Sequence, residues 1–179
     1  MARFTLAEIR EKFSSSRDFN DLLDAFQAAL ALNAQDLELY RPLFWNPGLS
    51  PDEVCLFGEK LANEFPALAF DTYVWLAKVF EMTFASYDNF ELAMQYYRKA
   101  SLVKPEEGGP YLGAADCFDP NISIPPPFML IQFLKEGLKH VADKRDLIDR
   151  IAYLFEMIGD LDQSEHYRKL SDDLRRGKN

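Results

Sequence analysis

The sequence predicts an all-α fold of about ten helices, on three observations. No stretch alternates apolar and polar residues with period two, and no Asn-Gly or Asp-Gly pair marks a hairpin. Apolar residues recur instead at helical spacing, as Phe19, Leu22, Leu23, Phe26 and Leu30 do along one stripe. The breaks between such stretches fall where Pro, Gly and capping residues stand.

Taken in order, the stripe of 19–30 is followed by a shorter helix through Leu37, Tyr40 and Phe44, which Asn46-Pro47-Gly48 ends. Ser50-Pro51-Asp52-Glu53 opens the next. Ser50 caps free N–H groups, Pro51 suits the first turn, and Glu53 completes a capping box. That helix carries Val54, Phe57 and Leu61 and stops near Pro66. Residues 67–86 are apolar on most sides (Leu68, Phe70, Trp75, Leu76, Val79, Phe80, Phe84), the pattern of a helix with several neighbours. Asp88 and Asn89 start a helix that Pro105 ends. Further helices fit at 109–118, 126–141, 145–158 and 161–175, with Gly159 as a left-handed stop between the last two.

A repeat underlies this order. In "LAMQYYRKASLVKP", residues 92–105, Ala93 and Ala100 stand seven apart with Tyr97 between them and Pro105 after. Alanines let paired helices approach closely, a ring fills the gap, and proline turns the chain into a next unit. Residues 74–107 thereby resemble one tetratricopeptide repeat, a helix–turn–helix of about 34 residues whose second helix carries A-x3-F, a small residue and a proline. Ala77, Phe80, Glu81 and Phe84 take the first-helix places, with Glu81 where a small residue is usual. A second unit, 108–144, offers Tyr111, Ala114, Ala115 and Phe118, then Leu130, Leu134 and Gly137, with a lengthened turn "DPNISIPPP". A third, 145–178, has Ile148, Ile151, Ala152 and Phe155. Its second helix is one residue out of phase and carries a single stripe, Tyr167, Leu170 and Leu174, as a terminal capping helix would. The resemblance implies a tetratricopeptide-like superhelical stack of antiparallel helix pairs. Residues 1–73 are read as N-terminal helices, a cap or a degenerate repeat. Rings at 84, 97 and 118 are expected to plug the stack.

The resemblance also implies function: first helices of such units line a groove that holds a peptide or helix. The partner-binding positions carried over are Trp75, Lys78, Met82 and Ser86, then Leu112, Asp116 and Asp119, then Asp146, Asp149, Tyr153, Glu156 and Met157. A subgroup of the family grips a terminal carboxylate with Lys, Arg and Asn. Here only Lys78 qualifies, and acids crowd the same face. The expected partner is thus a basic or apolar-basic peptide, or a helix resting on Trp75, Met82, Leu112 and Tyr153. The expected class is a non-enzymatic protein–protein interaction module. Alternatives are a structural homodimer or assembly subunit, given 15 Phe, 8 Tyr and 2 Trp, and a small chaperone of secreted clients.

Composition narrows the classes. The formal net charge of −9, with only Arg175, Arg176 and Lys178 as a basic tail, excludes a phosphate-binding surface for nucleic acid or an anionic membrane. Cys55 and Cys117 form no CxxC and read as small core residues in a reducing compartment. The start, "MARFTLAEIREKF", lacks the apolar stretch of a signal peptide, and no run of about 18 apolar residues occurs, so the cytoplasm is expected.

No cofactor or metal motif emerges. His140 follows Glu136 by four and His166 follows Asp162 by four, without the doubled Glu-x-x-His of a helical di-metal site. "GGPYLGAAD" lacks the Lys-Ser/Thr of a phosphate loop, and Pro125-Pro126-Pro127 reads as a stiff loop opening a helix. An enzyme would need distant groups such as Asp116, Asp119, Asp149 and His140 to converge.

Overall fold

The computed structural model describes residues 4–83 and 87–177, the side chains of 87 and 88 apart. Among the described residues there are ten α-helices and no strand, one isolated bridge between Asp119 and Ile124 being the only β-type pairing. The chain divides into two compact units, 1–84 and 85–179. Unit 1 holds α1 (Leu6–Ser15), α2 (Phe19–Ala31), α3 (Leu37–Phe44), α4 (Pro51–Glu64) and α5 (Ala69–Thr83). Unit 2 holds α6 (Tyr87–Val103), α7 (Gly109–Asp116), α8 (Pro127–Gly137), α9 (Arg145–Met157) and α10 (Leu161–Arg175). The division falls between α5 and α6, the two helices of the first expected repeat.

Helix starts follow their caps. The expected capping box of α4 forms, Ser50 Oγ accepting from the Glu53 N–H while Glu53 accepts from the Ser50 N–H at 2.7 Å. A second box, Thr5 with Glu8, opens α1, and the Asp18 carboxylate accepts from the N–H groups of Asn20 and Asp21 at the start of α2.

In unit 1, α1 packs on α2 and α3, α2 on α4, and α5 on α3 and α4. The apolar stripe of α2 is buried through Leu22 and Phe26. Phe26 meets Phe57 of α4 at 4.9 Å and Tyr40 of α3 at 5.8 Å, centroid to centroid. Tyr40 donates its hydroxyl to the Ala34 carbonyl at 2.8 Å, and burial followed by the nearby Asp36 pushes its pKa upward. The break at 46–48 does more than end α3. Asn46 is buried, and its amide donates to the carbonyls of Phe13 (2.8 Å) and Ser16 (2.9 Å), tying the end of α1 to that turn.

In unit 2, α6 packs on α7, α7 on α8 and α9, α8 on α9, and α9 on α10. Ala93, Tyr97 and Ala100 are all buried, as the repeat requires. Tyr97 lies over Gly113 of α7, where a Cβ would stand 2.6 Å from the ring. Gly159, with φ +81°, makes the expected left-handed stop between α9 and α10.

Several expectations need correction. The helix expected at 126–141 ends at Gly137, where Lys139 and His140 donate to carbonyls three residues back and tighten the chain into a turn. His140 therefore does not share a helix face with Glu136. Helix α7 likewise ends at Asp116, so Phe118 lies past it and is only half-buried, a weaker plug than expected. Phe84 lies outside the described residues. The stripe expected on α10 forms only in part: Tyr167 is half-buried and stacks on Phe155 of α9 at 5.6 Å, and Leu174 is half-buried. The buried residues of α10 are Ser164 and Ser171, and Leu170 is exposed. These serines stand seven apart, as Ala93 and Ala100 do, each 34 positions after Leu130 and Gly137 respectively. Small residues thus keep the register, and only the aromatic, Tyr167, is displaced by one.

The Ser164 and Ser171 hydroxyls are buried without a hydrogen-bond partner among the described residues. A buried, unsatisfied hydroxyl costs about 1–3 kcal/mol. Ser171→Ala is therefore expected to raise stability, by roughly 1 kcal/mol. Urea unfolding followed by circular dichroism measures this, and a loss of similar size would show that the hydroxyl is satisfied in solution.

Candidate functional site

Helix α9 is amphipathic in a way that prepares a surface. Leu147, Ile148, Ile151, Ala152, Leu154 and Phe155 are buried against its neighbours. Asp146, Asp149 with Arg150, Tyr153 and Met157 recur at three- and four-residue spacing along another strip. On α7, Tyr111, Ala114 and Ala115 are buried, which turns Leu112 and Asp116 outward one helical turn apart.

The two helices pack so that these strips face one cavity of about 370 Å³, lined by Leu112, Asp116, Asp146, Asp149, Arg150 and Tyr153. Five of the partner-binding positions carried over from the repeat therefore come together: Leu112, Asp116, Asp146, Asp149 and Tyr153. Arg150 was missed, although it falls midway between Asp146 and Tyr153 at helical spacing. It crosses from α9 to pair with Asp116 of α7 at 2.5 Å. Asp149 is met from α10 by Arg175 at 3.1 Å. Arg145, beside Asp146 in sequence, is directed elsewhere. It forms a two-point pair with Asp143, whose carboxyl is held down at about 2 by the hydrogen bonds from Arg145. Three carboxylates thus face one lining guanidinium, over the apolar surface of Leu112 and Tyr153.

The remaining predicted residues lie elsewhere. Glu156 turns toward α10, where Arg168 pairs with it. Met157 is exposed one turn beyond Tyr153. Trp75, Lys78 and Met82 belong to α5 of unit 1. Trp75 is half-buried against α3, with the Arg41 guanidinium 4.1 Å from its ring and Trp45 edge-on at 6.4 Å. Lys78 and Met82 are exposed. Asp119 serves its own loop, accepting from the backbone and side-chain amides of Asn121 at 2.8 and 3.0 Å. Ser86 lies outside the described residues.

Asp119 and His140 are not among the residues that line this cavity. Among the described residues, no three His, Cys, Asp or Glu side chains gather as metal ligands, and no helix is long and apolar enough to cross a membrane. Carboxylates over an aromatic and aliphatic floor can hold a cationic group and its apolar stem.

No protein-family model and no curated relative matches the sequence. Solved structures do match the fold. One is described as the crystal structure of MamA protein, with 15% identity over 97% of this chain and 92% of that one, and a TM-score of 0.56. A second, MamA MSR-1 C2, gives 15% identity, 97% and 98% coverage and a TM-score of 0.52. TTC0263, a thermophilic TPR protein of Thermus thermophilus, gives 19% identity, 85% and 80% coverage and a TM-score of 0.50. At these identities the likeness is one of fold, and the fold of this chain is the all-helical tetratricopeptide type.

Proposed function

We propose that this chain is a non-enzymatic protein–protein interaction module, and that the furrow between α7 and α9 holds a basic or apolar-basic segment of a partner protein. The observation that carries the reading is the shared cavity of Leu112, Asp116, Asp149 and Tyr153, assembled from two helices with acids around an apolar floor. Small pockets of this size take one or a few side chains and owe specificity to a few placed polar groups. The net charge of −9 favours a basic partner over nucleic acid. Lys78 and Met82, exposed on α5, are assigned to partner contact as well, with Trp75 beside them. The recurrence of small residues at Gly137 and Ser171 supports units 108–144 and 145–178 as repeats, with 74–107 before them and 1–73 as a cap or degenerate unit. Cys55 and Cys117 form no disulfide and suit a reducing compartment, the cytoplasm being the proposed one.

The test is peptide display against the immobilised chain, followed by affinities of the enriched peptides for wild type and Tyr153→Ala. Tyr153 is 37% exposed, so its truncation should leave melting nearly unchanged. Affinity is expected to fall about tenfold, the scale of a lost interface ring worth roughly 1.4 kcal/mol. Enriched peptides that bind both proteins equally would remove the furrow from the account.

A further inference from the structure

We propose that the occupant of this furrow is a bipartite segment, with a cationic block over Asp146 and Asp149 and an apolar block over Tyr153 and Met157. The inference rests on the reading of the chain as an interaction module and adds the order of chemistry along α9.

The exposed strip of α9 changes character along its length. From Asp146 to Met157 it spans about 16 Å at the helical rise. Its first half presents Asp146 and Asp149, with Asp116 of α7 opposite. The nearest guanidiniums have other close partners, Arg145 being held by Asp143 and Arg150 by Asp116, while Arg145 interacts with Asp146 and Asp149 only through the field of their charges. The pairs on Asp116 and Asp149 are at the surface, where such contacts contribute little and exchange readily for a ligand's cation.

In the second half, the carboxylate near the strip is occupied. Glu156 is paired with Arg168. The exposed residues that remain on the strip are apolar, Tyr153 at 37% exposure and Met157 at 42%. Charge therefore fades along α9 while open apolar surface grows. A segment whose cations and apolar side chains are separated matches both halves at once. One in which they alternate must set a cation against Met157 or an apolar side chain against Asp146. A second copy of this chain is a poor occupant, since its net charge of −9 opposes the acidic half.

The experiment uses the full chain and two peptides of equal composition, one with its lysines and its leucines in separate blocks, the other with them alternating. Affinities come from fluorescence anisotropy, and a photoreactive group is placed beside either block. The block peptide is expected to bind about tenfold more tightly. Its cationic end should crosslink to residues 145–150 and its apolar end to 153–161. Asp146→Asn with Asp149→Asn should lower its affinity and flatten its salt dependence, while Met157→Ser should lower affinity and leave the salt dependence unchanged.

Equal affinity for both peptides, or crosslinks at exchanged ends, overturns the order and leaves the module standing. So does failure of both peptides where display-selected peptides bind. If no peptide of either kind binds, the module reading falls with it. Light scattering that shows a dimer lost in Met157→Ser assigns the face to a second copy and overturns the proposal.

Discussion

Tyr97→Ala is expected to lower stability by about 3–5 kcal/mol, the usual cost of deleting a fully buried ring. The ring is 1% exposed and lies between α6 and α7, above Gly113. Its removal leaves a void that neither helix closes by itself, because Ala93 and Ala100 already bring the α6 backbone close to its neighbours. The contact also makes a sharper prediction. A Cβ on Gly113 would stand 2.6, 2.7 and 2.8 Å from Cε1, Cζ and Oη of Tyr97. Gly113→Ala alone should therefore cost about 1–3 kcal/mol through forced displacement of the ring. In the Tyr97→Ala background the same change meets open space and should be close to neutral. The two effects then differ from additivity by about 0.5–3 kcal/mol in a double-mutant cycle read by urea unfolding. Additive losses would show that the two residues do not touch, and the repeat register in unit 2 would be wrong.

What the residues made legible was whatever depends on neighbours within a turn or two. The Ser50–Glu53 box, the stop at Gly159 and the spacing of Ala93, Tyr97 and Ala100 are local signals, and each appears where the pattern put it. The strip of α9 was legible for the same reason, since Asp149 and Tyr153 share a face by helical geometry alone. What stayed hidden depends on partners distant in sequence. Asn46 reads as part of a turn, and nothing local tells that its amide will reach Phe13, 33 residues earlier. Arg150 reads as a charge on an exposed helix until α7 brings Asp116 to it. Trp75 reads as a groove aromatic, but its neighbours are Arg41 of α3 and Trp45 just past that helix's end. Ser164 and Ser171 were passed over for a chemical reason. Their hydroxyls mark them as polar, whereas the packing uses only their small volume.

Gly137 tests the same packing principle at the next repeat, with the opposite kind of substitution. Gly137 ends α8 and occupies the small-residue position that Ala100 holds in the unit before. A Cβ there would stand 2.7 Å from Leu147 Cδ2 of α9 and 2.8 Å from Tyr111 Cγ of α7. The first contact can yield by a rotation of the leucine. The second cannot, because Cγ is the root of a buried ring that packs on Phe133 at 4.7 Å. Alanine gains about 0.5–1 kcal/mol over glycine from backbone entropy within a helix, and less at a helix end. Overpacking costs about 1–3 kcal/mol, so the clash decides the sign. Gly137→Ala is expected to destabilise by about 1–2 kcal/mol and Gly137→Val by more, in urea unfolding. If Gly137→Ala proved neutral or stabilising, α8 would stand farther from α7 and α9 than this packing allows. The furrow between α7 and α9 depends on that closeness, because Tyr111 and Leu147, the residues that meet at Gly137, are each one position from the cavity residues Leu112 and Asp146.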